Sequence, residues 1–149
     1  MRSHAAWSAR VVKHRYAVDT VSGYRSSSGD HGEGLAADFM VSSNATKGDK
    51  VARFAKKPYG QLNVTYVIWY QRIWSVDRAS DGWRPMTDLG NVTANHKDHV
   101  HISFRRAPTI PPIGADPEGD CGDNYDTLVA FAGNPSVASG SGKNARGYG

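Results

Sequence analysis

The sequence predicts a small α+β domain, an antiparallel sheet with helices on one side, followed by a tail. Two segments show helical spacing of apolar residues, and four others are apolar or alternating runs of strand length. Beyond residue 106 the composition turns to Pro, Gly, Asp, Asn and Ser. A chain of 149 residues then divides into one domain, 1–106, and a tail or linker, 107–149. A domain of that size can bury a core without disulfide or metal staples.

Residues 5–16 place Trp7, Val11, Val12 and Tyr16 on one helical face, with basic residues near the end where they complement the helix dipole. Val18–Tyr24 reads as a strand, and residues 25–34 as a polar, Gly-rich loop holding Arg25, Asp30 and His31. Leu35–Val41 is a short apolar run broken only by Asp38. Asp49–Lys57 has helical spacing through Val51, Phe54 and Ala55 and ends before Pro58 and Gly60. Val64–Ile73, rich in β-branched and aromatic residues, is the strongest strand signal. Trp74 to Thr93 reads as a loop or hairpin excursion around Asp81-Gly82, and Val100–Phe104 as a final alternating strand. In the tail only Asp126–Phe131 is apolar enough to dock, and there is no internal repeat.

Lys and Arg number 18 against 14 Asp and Glu, a formal charge of +4. That excess suits an anionic partner, but solubility explains it equally well, so it identifies no nucleic-acid partner. The single cysteine, Cys121, excludes an internal disulfide and a thiolate zinc cluster. The N-terminus shows no secretory signal, and no run approaches the ~18 apolar residues of a membrane span. A protein of this kind that works outside the cytoplasm is expected to be carried there by a holin, a parent polypeptide or a virion.

The chemistry lies in the histidines. Of six, His96, His99 and His101 fall in one short stretch. Residues i and i+2 of a strand share a face, so His99 and His101 project together, with Asp98 at the strand's start. Upstream, His31 lies in a Gly-rich turn that feeds Asp38, a carboxylate among Leu35, Ala36, Ala37, Phe39 and Met40. Burying it is costly unless it is paired or bound to metal. Two imidazoles and a carboxylate, with a fourth position for water, make a hydrolytic zinc site. The same residues also suit hydrogen-bonded surface histidines and ordinary turn glycines, and they leave the substrate open. Glu33 has two readings, a substrate contact or a solvated loop carboxylate. Trp74 and Trp83 either line a binding groove or pack, Trp69 reads as core, and His4 and His14 read as surface residues.

His31-Gly-Glu-Gly34-Leu-Ala36-Ala-Asp38 resembles the His-x-x-Gly-x-Ala-x-Asp signature of zinc D-Ala-D-Ala carboxypeptidases and L-alanyl-D-glutamate endopeptidases. This is the family of vancomycin-resistance and phage-endolysin peptidases, related to the hedgehog signalling domain. Asp98 and His101 match the second half of its pattern, an acidic residue three before the last histidine ligand. Ser22-Gly-Tyr-Arg25, Tyr66-Val-Ile-Trp69, Gly82-Trp-Arg-Pro-Met86 and Thr93 through Phe104 resemble an actinobacterial and actinophage branch, over residues 5–106.

The resemblance implies a hedgehog- and D-Ala-D-Ala-peptidase-like fold, with Zn2+ held by His31, Asp38 and His101. It also implies Asp98 as general base, a catalytic contribution from His99, and Arg25 holding or polarising the scissile carbonyl. The implied partner is a peptidoglycan stem peptide, met at the bacterial cell wall. Gly29 stands where many members have serine, with Ser28 beside it as a candidate substrate contact alongside Glu33, Trp74 and Trp83. The alternative, from a different class, is a non-catalytic zinc-binding module that keeps the fold.

Overall fold

The computed structural model describes residues 1–56 and 62–107. Pro58, Gly60, Cys121, the Asp126–Phe131 segment and nearly all of the 107–149 tail lie outside these residues. The first helix, α1, covers Ser3–Arg15 and buries Trp7, Val11 and Val12, with Lys13, His14 and Arg15 in its last turn. It ends where Ala17 turns to φ 51° and the Val18 amide reaches back to the Lys13 carbonyl at 3.0 Å, a left-handed cap built without glycine. The second helix, α2, covers Ala45–Lys56 and buries Val51, Phe54 and Ala55. It begins a turn earlier than its apolar spacing predicts, because Asn44 Oδ1 accepts the Lys47 amide at 3.0 Å and caps it.

Six strands, β1 (Val21–Ser22), β2 (Ala36–Met40), β3 (Val64–Trp69), β4 (Arg72–Ser75), β5 (Arg84–Pro85) and β6 (His99–Phe104), form one antiparallel sheet. Their order is β1-β2-β6-β3-β4-β5. Both helices pack on one face of this sheet, where Phe39, Val67, Trp69, Val100 and Ile102 are buried with them. The fold is therefore α+β, as predicted.

Three local expectations are corrected. Val64–Ile73 is not one strand: Tyr70 and Gln71, at φ 53° and 62°, turn the chain between β3 and β4. Two successive left-handed residues match the twist of a hairpin, but neither is Gly or Asn, so the turn carries no sequence signal. Its amides instead bond the carbonyls of His96 and Asn95, both at 2.8 Å, which holds the conformation from outside. Of Val18–Tyr24 only Val21–Ser22 pairs in the sheet, and Val18 is buried in the core beneath α1. His4 is no surface residue: it is buried, and its Nε2 donates to the Arg105 carbonyl at 2.6 Å.

A bulge at Thr65 shifts the β3–β6 register between Val64 and Tyr66. It lets Val64 and Val67, three residues apart, share the core face, while Tyr66 and Ile68 point to the other side. On that other side Asp38 of β2 lies directly opposite His101 of β6.

Gly48 of α2 sets the distance between helix and sheet. A Cβ there would sit 2.2 Å from carbons of the Trp69 ring, which is fully buried and donates its Nε1 to Asp49 Oδ1 at 2.7 Å. Gly48→Ala is expected to lower stability by ~1–3 kcal/mol through overpacking, more than offsetting the ~1 kcal/mol that alanine gains in helix propensity. Denaturant unfolding would show it as a lower midpoint, and an unchanged midpoint would mean the helix can move away from the sheet.

Candidate metal centre

The open face of the sheet carries the cluster. Asp38 and His101 are a directly opposed cross-strand pair, and His99 faces the same way two residues earlier. His31 arrives from the loop before β2. That loop is closed by the Asp30 carbonyl accepting the Leu35 amide at 2.8 Å and the His31 carbonyl accepting the Gly34 amide at 3.2 Å. Gly34 sits at φ 73° close against the backbone of Met1 and Arg2, where a side chain would be strained and would crowd the N-terminal backbone.

One donor atom from each of His31, Asp38 and His101 lies within 4.8 Å of the others, and all three residues are buried. Asp38 Oδ1 is 2.9 Å from His101 Nδ1, and Oδ2 is 3.2 Å from His31 Nε2. Burial by itself raises the Asp38 carboxyl, but the hydrogen bond from His101 and the attraction of His101, His31 and His99 outweigh it. The carboxyl is held well below the ordinary carboxylate range.

His31 tests whether these residues suit a metal. Its Nδ1 lies 2.8 Å from the Gly23 carbonyl, which can only accept, so the hydrogen-bond network assigns the proton there. Nε2 is then a bare lone pair. It is buried, makes no hydrogen bond, and points at a carboxylate oxygen. With the ring neutral, these two acceptors face each other away from water and repel. A proton on Nε2 gives the attraction that lowers Asp38 in the metal-free protein, and a metal cation between them would remove the conflict in the same way. Two imidazoles and a carboxylate form a set that can hold a divalent metal, and the donor chemistry fits zinc.

Around this set the structure distributes the other candidates unevenly. His99 is buried, with Nε2 3.9 Å from Asp38 Oδ1 and Nδ1 2.7 Å from Asp98 Oδ1. Asp98 is partly exposed, and its second oxygen accepts the Thr93 hydroxyl at 2.7 Å. Burial alone would raise Asp98, yet the hydrogen bonds from His99 and Thr93 lower it. His96 packs on His99 with ring centroids 4.6 Å apart, and its pKa is pushed down to about 4 by burial and by His99 and His101. Arg25, half exposed, places Nη2 3.2 Å from Asp38 Oδ2 and Nη1 3.2 Å from Ser22 Oγ.

The tryptophans and the loop residues do not join the site. Trp74 pairs with Val67 on the helix-covered face and is 4% exposed, so it is core and not a groove wall. Trp83 packs against the edge of that core, with Lys56 Nζ and the Arg72 guanidinium each 5.0 Å from its ring, also on the helix side. Both were expected as substrate contacts. The register of β4 on β3 turns Trp74 to the opposite face, and Trp83 follows it to the helix side. Glu33 is exposed and paired with Arg106. Ser28 is exposed in the loop.

Three side chains that the motif reading passed over stand directly behind the ligands: Asp30, Tyr66 and Ser103. Ser103 was accessible to the same period-two argument that joined His99 to His101. Tyr66 was not, because the bulge at Thr65 decides its face. Tyr66 is half buried, and its hydroxyl is pushed up to about 12 by burial and by neighbouring Asp30.

The cluster and the side chains behind it fall between Arg25 and Ser103. A chain ending at Ala107 is therefore expected to keep its fold and its capacity to bind a metal. Loss of either, read by circular dichroism and metal analysis, would show that the tail takes part.

An uncharacterized secreted protein of Arthroderma benhamiae is 36% identical to this chain over an alignment covering 47% of the chain and 38% of that protein. The chain thus spans well under half the length of this relative. No solved structure matches. No helix among the described residues is long and apolar enough to cross a membrane. The family of the VldE C-terminal domain matches residues 1–97, which take in His31 and Asp38 and stop short of His101. With most of the domain covered, the chain belongs to the VldE C-terminal domain family, a peptidase-related family.

Proposed function

We propose that this chain is a zinc peptidase that hydrolyses peptide bonds in the stem peptides of bacterial peptidoglycan. The observation that carries the reading is the buried His31–Asp38–His101 set with the His99–Asp98 pair beside it. His31, Asp38 and His101 would hold the zinc, which when bound supplies a Lewis acid and a water of pKa near ~7. Asp98 accepts the Nδ1 proton of His99, so Nε2 faces the cluster with its lone pair free. A base needs that geometry to take a proton from the attacking water and return it to the leaving amine. His99 is thus the proton acceptor and Asp98 orients it, a division of labour that differs from the Asp98 base implied by family resemblance.

Arg25 lies at the rim, anchored on Asp38 and Ser22, with the rest of its guanidinium available to a developing oxyanion. The stem-peptide substrate and action at the cell wall rest on the peptidase-related family and on the likeness of the His31–Asp38 signature. A secreted relative agrees with work outside the cell. We place the chain as a module of a longer polypeptide or of a phage particle that reaches an actinobacterial wall.

One observation favours a second reading, a zinc-binding module without catalysis: Arg25 already neutralises Asp38 instead of standing free. Mass spectrometry of peptidoglycan fragments after digestion with zinc-loaded full chain separates the two. New stem-peptide termini that are absent with Asp38→Asn support the peptidase. Intact fragments from several actinobacterial walls would leave the scaffold.

A further inference from the structure

Ser103 is fully buried on β6, on the same face as His101 and two residues beyond it. Its Oγ donates to Asp30 Oδ2 at 2.7 Å and lies 2.8 Å from His101 Nε2. Asp30 Oδ2 also accepts the Tyr66 hydroxyl at 2.7 Å. The Tyr66 ring stacks on that of His101, with centroids 5.6 Å apart and planes 18° from parallel. None of these three side chains has a part in the hydrolysis described above.

Counting protons shows what they do. A carboxylate has none to give, so Asp30 accepts from both hydroxyls. The one proton of Ser103 is directed at Asp30, and its oxygen can meet His101 Nε2 only as an acceptor. Nε2 therefore carries a proton. Nδ1 gives Asp38 Oδ1 its hydrogen bond at 2.9 Å in the metal-free protein, and a metal would displace that Nδ1 proton and take the lone pair it leaves. Without an opposing partner, the Asp38 carboxylate would keep the neutral ring's one proton on Nδ1 and block that lone pair. The residue that supplies the opposing pull is also the neighbour of His31, and its carbonyl closes the His31 loop through the Leu35 amide. One side chain in this way ties the loop of the first ligand to the ring of the last.

We propose that Asp30 and Ser103 are positioning residues, a relay that keeps a proton on His101 Nε2 and leaves Nδ1 to the metal. The proposal rests on the zinc reading above. A ligand imidazole whose second nitrogen donates to an acceptor is fixed in tautomer and orientation and is made more basic. The relay gives His101 that donor role through Ser103, as the Gly23 carbonyl does for His31.

The test uses the full chain and zinc alone, with affinity read by competition against a chromophoric chelator. A second readout, long-range proton–nitrogen NMR of the zinc-loaded protein, follows the His101 Nε2–H. Ser103→Ala is expected to weaken zinc binding ~10–100-fold and to move the Nε2–H signal or lose it to exchange with water. Asp30→Asn should act in the same direction, and it carries the test if Ser103→Ala does not fold. Tyr66→Phe, which leaves the Ser103–Asp30 link in place, should cost less than either. If Ser103→Ala binds zinc as tightly as the wild type, the relay is overturned while the zinc reading stands. Weaker binding with an unchanged Nε2–H signal assigns the loss to packing and overturns it too. A wild type that takes up no zinc removes both.

Discussion

Replacing His101 with alanine is expected to weaken zinc binding by more than the ~10–100-fold typical of losing a residue behind a ligand, and to remove peptide hydrolysis with it. Without this ring the metal set shrinks to His31 and Asp38, and Asp38 Oδ1 loses its partner at 2.9 Å. Asp38 keeps Arg25 at 3.2 Å on its other oxygen, but losing one partner of a buried charge is itself destabilising, so folding must be checked alongside binding. His31→Ala is the companion, because it deletes a ligand from a loop and not from the central strand β6. Metal analysis after dialysis, with circular dichroism on the same samples, reads both effects. If either variant folds and retains stoichiometric zinc, the ligand assignment is wrong.

The metal-free protein offers a second check through pH. Asp38 has a lowered native pKa, so its contribution to stability is fully present above the ordinary carboxylate value of ~4 and is lost as pH falls toward the native value. The stability gap between wild type and Asp38→Asn should therefore be wide at neutral pH and narrow below it in acid. A gap that does not change with pH would mean that the carboxylate is not held by its three imidazoles.

The second large effect concerns the proton. His99→Ala is expected to lower the rate of cleavage by ~10²–10⁴-fold, the usual worth of a general base, while zinc stays bound, because His99 is not one of the three ligands. Asp98→Ala leaves the Nε2 atom in place but frees the ring to turn, so it should cost less than His99→Ala. Asp98→Asn is the more damaging change at that position. Its amide can donate to Nδ1, which favours the proton on Nε2 and so removes the free lone pair from the side that faces the cluster. Steady-state rates on a stem-peptide substrate, with zinc content measured in parallel, rank the three variants. Should Asp98→Ala cost more than His99→Ala with zinc intact, Asp98 is the base, as the family resemblance implies.

Much of this was written in local pattern. The alternation His99, Val100, His101, Ile102, Ser103, Phe104 states by itself that three polar side chains share one face and three apolar ones the other, and β6 follows it. The run around Asp38 likewise announced a buried carboxylate in need of a partner, and Trp7, Val11 and Val12 a helix with one apolar face. A strand's period of two and a helix's of 3.6 are properties of the backbone, so such patterns survive folding. The rest depended on partners far along the chain. Asp38 meets His101 across 63 residues only because β2 and β6 pair in one register. The Tyr70–Gln71 turn exists because the His96 and Asn95 carbonyls hold it, and the face of Trp74 follows from how that turn sets β4 against β3. Which nitrogen of His99 or His101 bears the proton is decided by hydrogen-bond partners in three dimensions, Asp98 for one and Ser103 with Asp30 for the other. Local periodicity assigns a side chain to a face, whereas its chemistry there depends on atoms brought opposite it by strand pairing, which no single segment encodes.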